Sequence, residues 1–188
     1  MKLRHLFFLS AFAALVASCR YTAPDFQQEY TTPAGGWKYD YQPKFSFAID
    51  DTASAYQLYL IMRHTNAYPY SNIWLRLKSK WPGDTTFQRE ERREVMLAEA
   101  PGVNADGSRS GKWLGRGMGE IVEQARPLYT LQQPLYFPHK GTYEILMAQD
   151  MRVNPLPDVL LVGLRLQKIG QLAAPTARPA KDSSVTGN

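Results

Sequence analysis

The side chains able to do covalent chemistry are few: one cysteine, Cys19, and three histidines, His5, His64 and His139. Cys19 and His5 belong to an N-terminal processing segment. The rest of the chain offers neither a Cys-His nucleophile pair nor a cysteine-ligated zinc site, since both need a thiol and an imidazole together. A serine triad would need a histidine beside a carboxylate and an exposed serine, and no Gly-x-Ser-x-Gly turn is present. His64 closes a predicted strand and His139 sits in a turn, so both read as hydrogen-bonded surface or turn histidines. The run Gly115-Arg116-Gly117-Met118-Gly119 lacks the Gly-Lys-Ser/Thr ending of a phosphate loop. Its glycines read as tight turns or close strand approach. Glycoside hydrolysis needs two acids about 5 to 10 Å apart across a cleft. Asp50, Asp51, Glu144, Asp150 and Asp158 are of the right type, but no spacing singles out a pair. The inventory points away from catalysis: no catalytic, metal-binding or cofactor-binding residues are expected.

Cys19 is different, because of what precedes it. Lys2 and Arg4 give a positive start, and the apolar run from Leu6 through Val16 has the length of a secretion signal. A membrane-spanning helix would need about 20 apolar residues, and this run stops at Ser18-Cys19-Arg20. Its end, Leu15-Val16-Ala17-Ser18-Cys19, places small residues before a cysteine, as in a bacterial lipobox. The thiol would take a diacylglyceryl group, and small side chains let the peptidase reach the bond cut. Residues 1–18 are therefore expected to be removed, with Cys19 left as the lipid attachment site, carrying acyl chains such as palmitate. The absence of a second cysteine fits, since an exported lone thiol needs a use.

The chain beyond residue 18 has the size of a single domain. The formal net charge of +5 includes Lys2 and Arg4, so the mature chain is only mildly basic. That does not suit nucleic acid, which calls for a clustered basic face. The densest charged run, Arg89-Glu90-Glu91-Arg92-Arg93-Glu94, mixes both signs and reads as a solvated strand or loop.

Residues 19–36, with Pro24, Pro33, Gly35 and Gly36, read as a lipidated tether. Residues 171–188, with Pro175, Pro179 and Lys181-Asp182-Ser183-Ser184, read as a disordered tail. Between them, over 37–170, the apolar pattern has period two. Phe45, Phe47 and Ile49 alternate with polar neighbours, as do Tyr56, Leu58, Leu60 and Met62, and then Ile73, Leu75 and Leu77. Further strands are predicted over 95–98, 141–149 and 159–169, with turns at Asp50-Asp51, Pro82-Gly83-Asp84 and Asn104-Ala105-Asp106-Gly107. Only 119–129 breaks the pattern: Ile121, Val122, Ala125 and Leu128 have the spacing of a short helix. The expected fold is all-β, a single antiparallel β-sandwich of jelly-roll type with at most one or two short helices.

Aromatic residues exceed the needs of a small core: Trp37, Tyr39, Tyr41, Tyr56, Tyr59, Tyr68, Tyr70, Trp74, Trp81 and Trp113. Some should fill the sandwich, and exposed ones would suit a protein interface or a glycan. A lipid-anchored glycan-binding module is the alternative reading of the chain.

Several segments occur in a telling order. After Cys19 come an aromatic-rich strand over 37–47, Arg63 ending a strand, and Tyr68-Pro69-Tyr70-Ser71-Asn72-Ile73-Trp74. Gly111-Lys112-Trp113-Leu114-Gly115-Arg116-Gly117, Gly141-Thr142-Tyr143 and Gln149-Asp150-Met151-Arg152 come next, then Leu156-Pro157-Asp158-Val159 and Val162-Gly163-Leu164-Arg165. Together they resemble the gliding-motility lipoprotein GldH family of the Bacteroidetes. The resemblance implies a non-enzymatic accessory or scaffold component of the gliding-motility and type IX secretion-associated machinery. Its implied partners are the membrane, through acylated Cys19, and other cell-envelope proteins, with neither nucleic acid nor a small-molecule substrate. Trp74, Trp113, Met151 and Arg152 match motif positions without a stated role. The stretch 84–110 departs from the family pattern as an insert. Arg20 directly succeeds the cysteine and residues 20–24 lack an acidic run, which suits a lipid anchor on the periplasmic face of the outer membrane.

Overall fold

The computed structural model describes residues 23–99, 102–103 and 109–171. The signal segment, Cys19, the Asn104–Gly107 turn and the tail from residue 172 lie outside these. Among the described residues there are eleven strands and no helix. In chain order they are β1 (Phe26–Thr31), β2 (Lys44–Ile49), β3 (Ser54–Thr65), β4 (Asn72–Lys80), β5 (Arg89–Met96), β6 (Gly102–Val103), β7 (Arg109–Ser110), β8 (Arg116–Met118), β9 (Ile121–Pro127), β10 (Gly141–Gln149) and β11 (Val159–Gln171).

Two antiparallel sheets carry the fold, one in the order β1-β11-β3-β9-β8 and the other β2-β10-β4-β5; β6 and β7 form a small separate hairpin. The period-two runs make this possible. In β2, Phe45, Phe47 and Ile49 are buried while Lys44, Ser46 and Ala48 face out. In β4, Ile73, Leu75 and Leu77 face the same core. The other sheet answers with Leu58, Leu60 and Met62 of β3 and Val162, Leu164 and Leu166 of β11. This is the expected β-sandwich.

Two expectations need correction. Residues 19–36 are not all tether, because Phe26–Thr31 is a strand paired with β11, Phe26 opposite Leu166 and Thr31 opposite Leu161. Phe26 and Tyr30 turn inward onto Phe47 and Phe45, with ring centroids 5.3 Å apart in each pair. An edge strand needs only one half-buried face, so its polar composition hides it. The close approach depends on Gly163, where a Cβ would lie 2.7 Å from the Gln28 carbonyl oxygen. The folded body therefore begins near residue 26 rather than 37.

The second correction is the helix expected within 119–129. Ile121–Pro127 is β9, which pairs with β3 and buries Val122 and Gln124 between exposed Ile121, Glu123 and Ala125. The free edge of β3 offers a hydrogen-bonding partner that local spacing cannot reveal, and this tertiary pairing overrides a weak helical stripe.

Much of the supposed insert at 84–110 is β5, whose charged run is the edge of its sheet. Charges suit such an edge because they discourage pairing with another chain. The Pro82-Gly83-Asp84 turn is present, with Gly83 at φ 90° and the Asp84 amide donating to the Trp81 carbonyl at 3.0 Å.

The sandwich has two unlike ends. One gathers the start of β1, the Asp50-Asp51 turn, the start of β10 and the end of β11. The opposite end gathers the starts of β4 and β11 and the end of β3. There the chain leaving β5 crosses between the sheets: the Leu97 and Ala98 amides both donate to the Ser71 carbonyl, and Ala98 bridges Trp113.

Candidate functional site

The acids considered for glycoside chemistry serve the architecture. Asp51 takes Lys168 at 2.9 Å and Ser54 at 2.7 Å, and these contacts lower its pKa to about 2. Glu144 lies between Lys44 at 3.0 Å and Lys80 at 3.3 Å. Asp158, at φ 62°, accepts from the Thr65 hydroxyl at 2.8 Å. His139 holds a turn through its backbone, its carbonyl accepting from the Tyr143 hydroxyl at 2.9 Å. Among the described residues, no three His, Cys, Asp or Glu side chains gather as a metal would require.

His64 departs from the surface or turn position expected of it. It continues the inward series Tyr56, Leu58, Leu60 and Met62 and is fully buried. Its Nδ1 faces the Thr65 carbonyl oxygen at 2.8 Å, which can only accept, so Nδ1 carries the proton. Nε2 then accepts from the Gln124 amide at 2.8 Å. Trp113 and Tyr68 pack against the ring at centroid distances of 4.5 and 5.2 Å. Burial lowers the His64 pKa, outweighing the Thr65 hydrogen bond and the nearby Asp158 charge. The unfolded chain therefore binds a proton near pH 6.5 that the folded chain refuses. Stability should be complete above that pH and fall as pH drops below it, with a slope approaching about 1.4 kcal/mol per unit for one proton. Urea midpoints at pH 7.5 and 5.5 check this. The His64→Gln variant should lose that slope, and an unchanged slope would refute the assignment.

Around this buried group, segments distant in sequence meet at one end of the sandwich. Tyr68 and Trp113 cover His64 from within, while Tyr70, Asn72 and Trp74 lead onto the outer face of β4. The Trp74 amide donates to the Met151 sulfur at 3.2 Å, and the Asp150 amide to the Trp74 carbonyl at 2.8 Å. Buried Gln149 fixes the next loop: its Oε1 accepts from the Met151 amide at 2.8 Å, and its Nε2 donates to the Val153 carbonyl at 3.2 Å. The Tyr39 hydroxyl closes the loop from the other side, donating to the Met151 carbonyl at 2.6 Å.

On this frame Arg92 of β5 lies 4.1 Å over the Trp74 ring and also bonds Asp150, which Arg76 holds at 2.6 Å. Burial pushes the Asp150 carboxyl up, but the two guanidinium hydrogen bonds prevail and leave it below its ordinary value. Tyr70, Asn72, Trp74, Arg92, Met151 and Arg152 line a shallow hollow of about 410 Å³, with Arg152 exposed at its rim. The surface has no nucleophile poised by a base. It has a rigid aromatic, fixed charges and an open rim, the composition of a recognition patch. Trp74, Met151 and Arg152 stand out in the sequence by their motif positions. Gln149 stands in the same motif and Tyr39 among the excess aromatics, but their roles in holding the Met151 loop, and the place of Arg92, come only from the fold.

A model of the family described as GldH lipoprotein matches residues 25–166. The chain belongs to the GldH lipoprotein family. The matched stretch begins beside β1 and runs into β11, so the family unit and the sandwich nearly coincide. A relative named gliding motility lipoprotein GldH homolog, from Christiangramia forsetii, is 25% identical over 70% of this chain and 77% of its own length. The gliding motility lipoprotein GldH of Flavobacterium johnsoniae is 25% identical over 74% of this chain and 82% of its own. Among solved structures, the infectious bursal disease virus VP2 subviral particle aligns at a TM-score of 0.28 and 14% identity, over 79% of this chain and 31% of that one. A likeness that slight bears on neither fold nor function. Of the segments that carry the resemblance in the sequence, Tyr68–Trp74, Gly111–Gly117 and Gln149–Arg152 contribute residues to the patch and its His64 support.

Proposed function

We propose that the chain is a membrane-anchored, non-enzymatic accessory or scaffold lipoprotein of the gliding-motility machinery, and through it of type IX secretion. Acylated Cys19 holds it at the periplasmic face of the outer membrane, and the Trp74 patch docks another envelope protein. The observation that carries this reading is the convergence of the family-resembling segments on one exposed, rigid surface. The names of the two relatives supply the process.

Position supports the same reading. Six residues separate Cys19 from Phe26, and fully extended chain spans about 3.5 Å per residue, so the start of β1 stays within about 25 Å of the anchor. The end holding the Asp50-Asp51 turn then faces the membrane, and the Trp74 patch faces away. Glycan binding is disfavoured, because Arg92 and Arg89 already lie 4.1 and 3.9 Å over the rings of Trp74 and Trp81 that a sugar would stack on.

The test is the double variant Trp74→Ala, Arg152→Glu, expressed in the native host at wild-type level, with cross-links to envelope proteins quantified. Loss of a central aromatic and an arginine from an interface costs about 2 kcal/mol or more, roughly thirtyfold in affinity. Cross-links should fall accordingly while the thermal unfolding midpoint holds. Unchanged cross-links would rule out this surface.

A further inference from the structure

At its membrane-facing end the sandwich does not close. A cleft of about 430 Å³ opens between the sheets, walled by Leu58, Leu77, Trp81, Leu135, Phe137 and Tyr143, with the small Ser79 on one wall. We infer that this cleft receives one acyl chain of the protein's own Cys19 lipid when the protein is in water, shielding that chain until a membrane takes it. The inference rests on the acylation proposed for Cys19.

Chemistry selects an apolar occupant. The charges at the cleft are already paired: Arg89 with Asp84 at 2.5 Å, Arg93 with Glu91 at 2.6 Å, Glu144 with Lys44 and Lys80, and Glu90 with Arg76 and Lys78 at 3.5 Å. Two of the three tyrosine hydroxyls at the cleft are engaged too, Tyr129 with Glu91 and Tyr143 with the His139 carbonyl, while Tyr136 lies exposed at the mouth. Apart from the Ser79 and Tyr136 hydroxyls, an entering group meets carbon or polar atoms already paired, whereas a charged peptide would have to break those pairs to find partners for its charges. Leu58, Leu77, Phe137 and Tyr143 are already buried, but water reaches the half-buried Trp81 and Leu135, and an apolar guest is favoured in proportion to the area of these that it covers.

Reach selects this lipid over others. Phe26, where the anchor segment enters the sandwich, packs on Phe47, and Phe47 packs on Phe137 of the cleft at a centroid distance of 5.8 Å. Cys19 is tethered by six residues to that entry point. A covalently held chain stays near the cleft at high effective concentration, an advantage no free lipid has.

The test uses the full lipidated chain, made in cells fed a diazirine-bearing palmitate, purified, freed of detergent and irradiated. Cross-links are expected within the same chain, to peptides covering residues 77–81, 135–137 and 143–145, and should be lost in Ser79→Trp, which fills the cleft. If that variant fails to fold, the wild-type cross-link map decides alone. A second arm adds palmitate to the unlipidated Cys19→Ala chain, where one equivalent should bind. An acylated Cys19 whose label reaches only other chains, or a Cys19→Ala chain that binds no palmitate, would overturn this inference alone. Absence of acyl mass on Cys19 would overturn the anchor as well.

Discussion

Trp37→Ala is expected to remove about 3–5 kcal/mol of stability, the usual cost of emptying a fully buried tryptophan site. Few positions offer so much in one side chain. Trp37 is wholly enclosed. Its backbone exchanges hydrogen bonds with Leu156 at 2.8 and 2.9 Å, and its indole N–H donates to the Tyr41 carbonyl at 2.9 Å. Alanine would leave a cavity and also strand that carbonyl, and the two losses add. Set against the roughly 5–15 kcal/mol that holds a typical domain together, the variant should unfold at markedly lower denaturant. Settling of the main chain into the cavity would carry to the Trp74 patch, because Gln149, which fixes the Met151 loop, also donates to the Trp37 backbone carbonyl at 3.3 Å. Chemical unfolding monitored by tryptophan fluorescence gives the number. A loss below about 1 kcal/mol, the level of an ordinary surface-to-boundary change, would mean that Trp37 is not the keystone its burial implies.

Legibility in the sequence tracks burial contrast. The predicted strand over 141–149 has the observed bounds of β10, and β2 and β4 are legible within a residue or two, because their inward residues are large and apolar and their outward ones polar. β1 is hidden for the opposite reason: Phe26, Gln28 and Tyr30 are only half-buried, and what makes them a strand is β11, near the far end of the chain. β9 is hidden because Ile121, Val122, Ala125 and Leu128 satisfy a helical spacing by coincidence while hydrogen bonding to β3 decides the outcome. The same contrast explains the site. Trp74, Met151 and Arg152 stand out in short segments. Arg92 does not, since its place over Trp74 depends on register, Arg76 opposite Arg92, and its bond to Asp150 joins residues 58 apart. His64 ends the inward series Tyr56, Leu58, Leu60 and Met62, a periodicity obscured by the charged Arg63 before it and the polar Thr65-Asn66 after it.

The charged run of β5 shows how one strand can serve several demands. Its arginines reach different neighbours: Arg89 lies over Trp81 at 3.9 Å, Arg93 over Tyr129 at 4.3 Å, and Arg92, on the opposite face, over Trp74. Arg89 and Arg93 dress the rim of the cleft, while Arg92 stiffens the recognition patch. The acids between them neutralise the edge. Burial and the Glu91 contact raise the Tyr129 pKa, so that hydroxyl keeps its proton and its hold on Glu91. A strand that reads as mere solubility in composition thereby joins the recognition patch to the acyl cleft.

Cys19→Ala is expected to abolish the lipid anchor, so that the chain either leaves the membrane or stays there only as the uncleaved precursor. One acyl chain gives only marginal membrane binding, with a constant of about 10⁴ M⁻¹, whereas two or more make the anchor effectively permanent, so the attachment is close to all-or-none. The folded body should not notice the change, because β1 starts at Phe26 and the residues before it contribute no strand among those described. Measured in detergent, which draws the acyl chain out of the cleft, the variant's unfolding midpoint should equal that of the wild type, which separates loss of anchor from loss of fold. Membrane fractionation with intact-mass measurement reads both outcomes. Wild-type protein should sediment with membranes and carry acyl mass on Cys19, while the variant should stay soluble or retain residues 1–18 uncleaved. Wild-type and variant chains that are equally soluble, and cut elsewhere, would remove the orientation on which the outward-facing Trp74 patch and the membrane-facing cleft both depend. The docking chemistry of the patch would survive that result, since it rests on Arg92, Asp150 and Met151 rather than on the lipid; its place in the envelope would not.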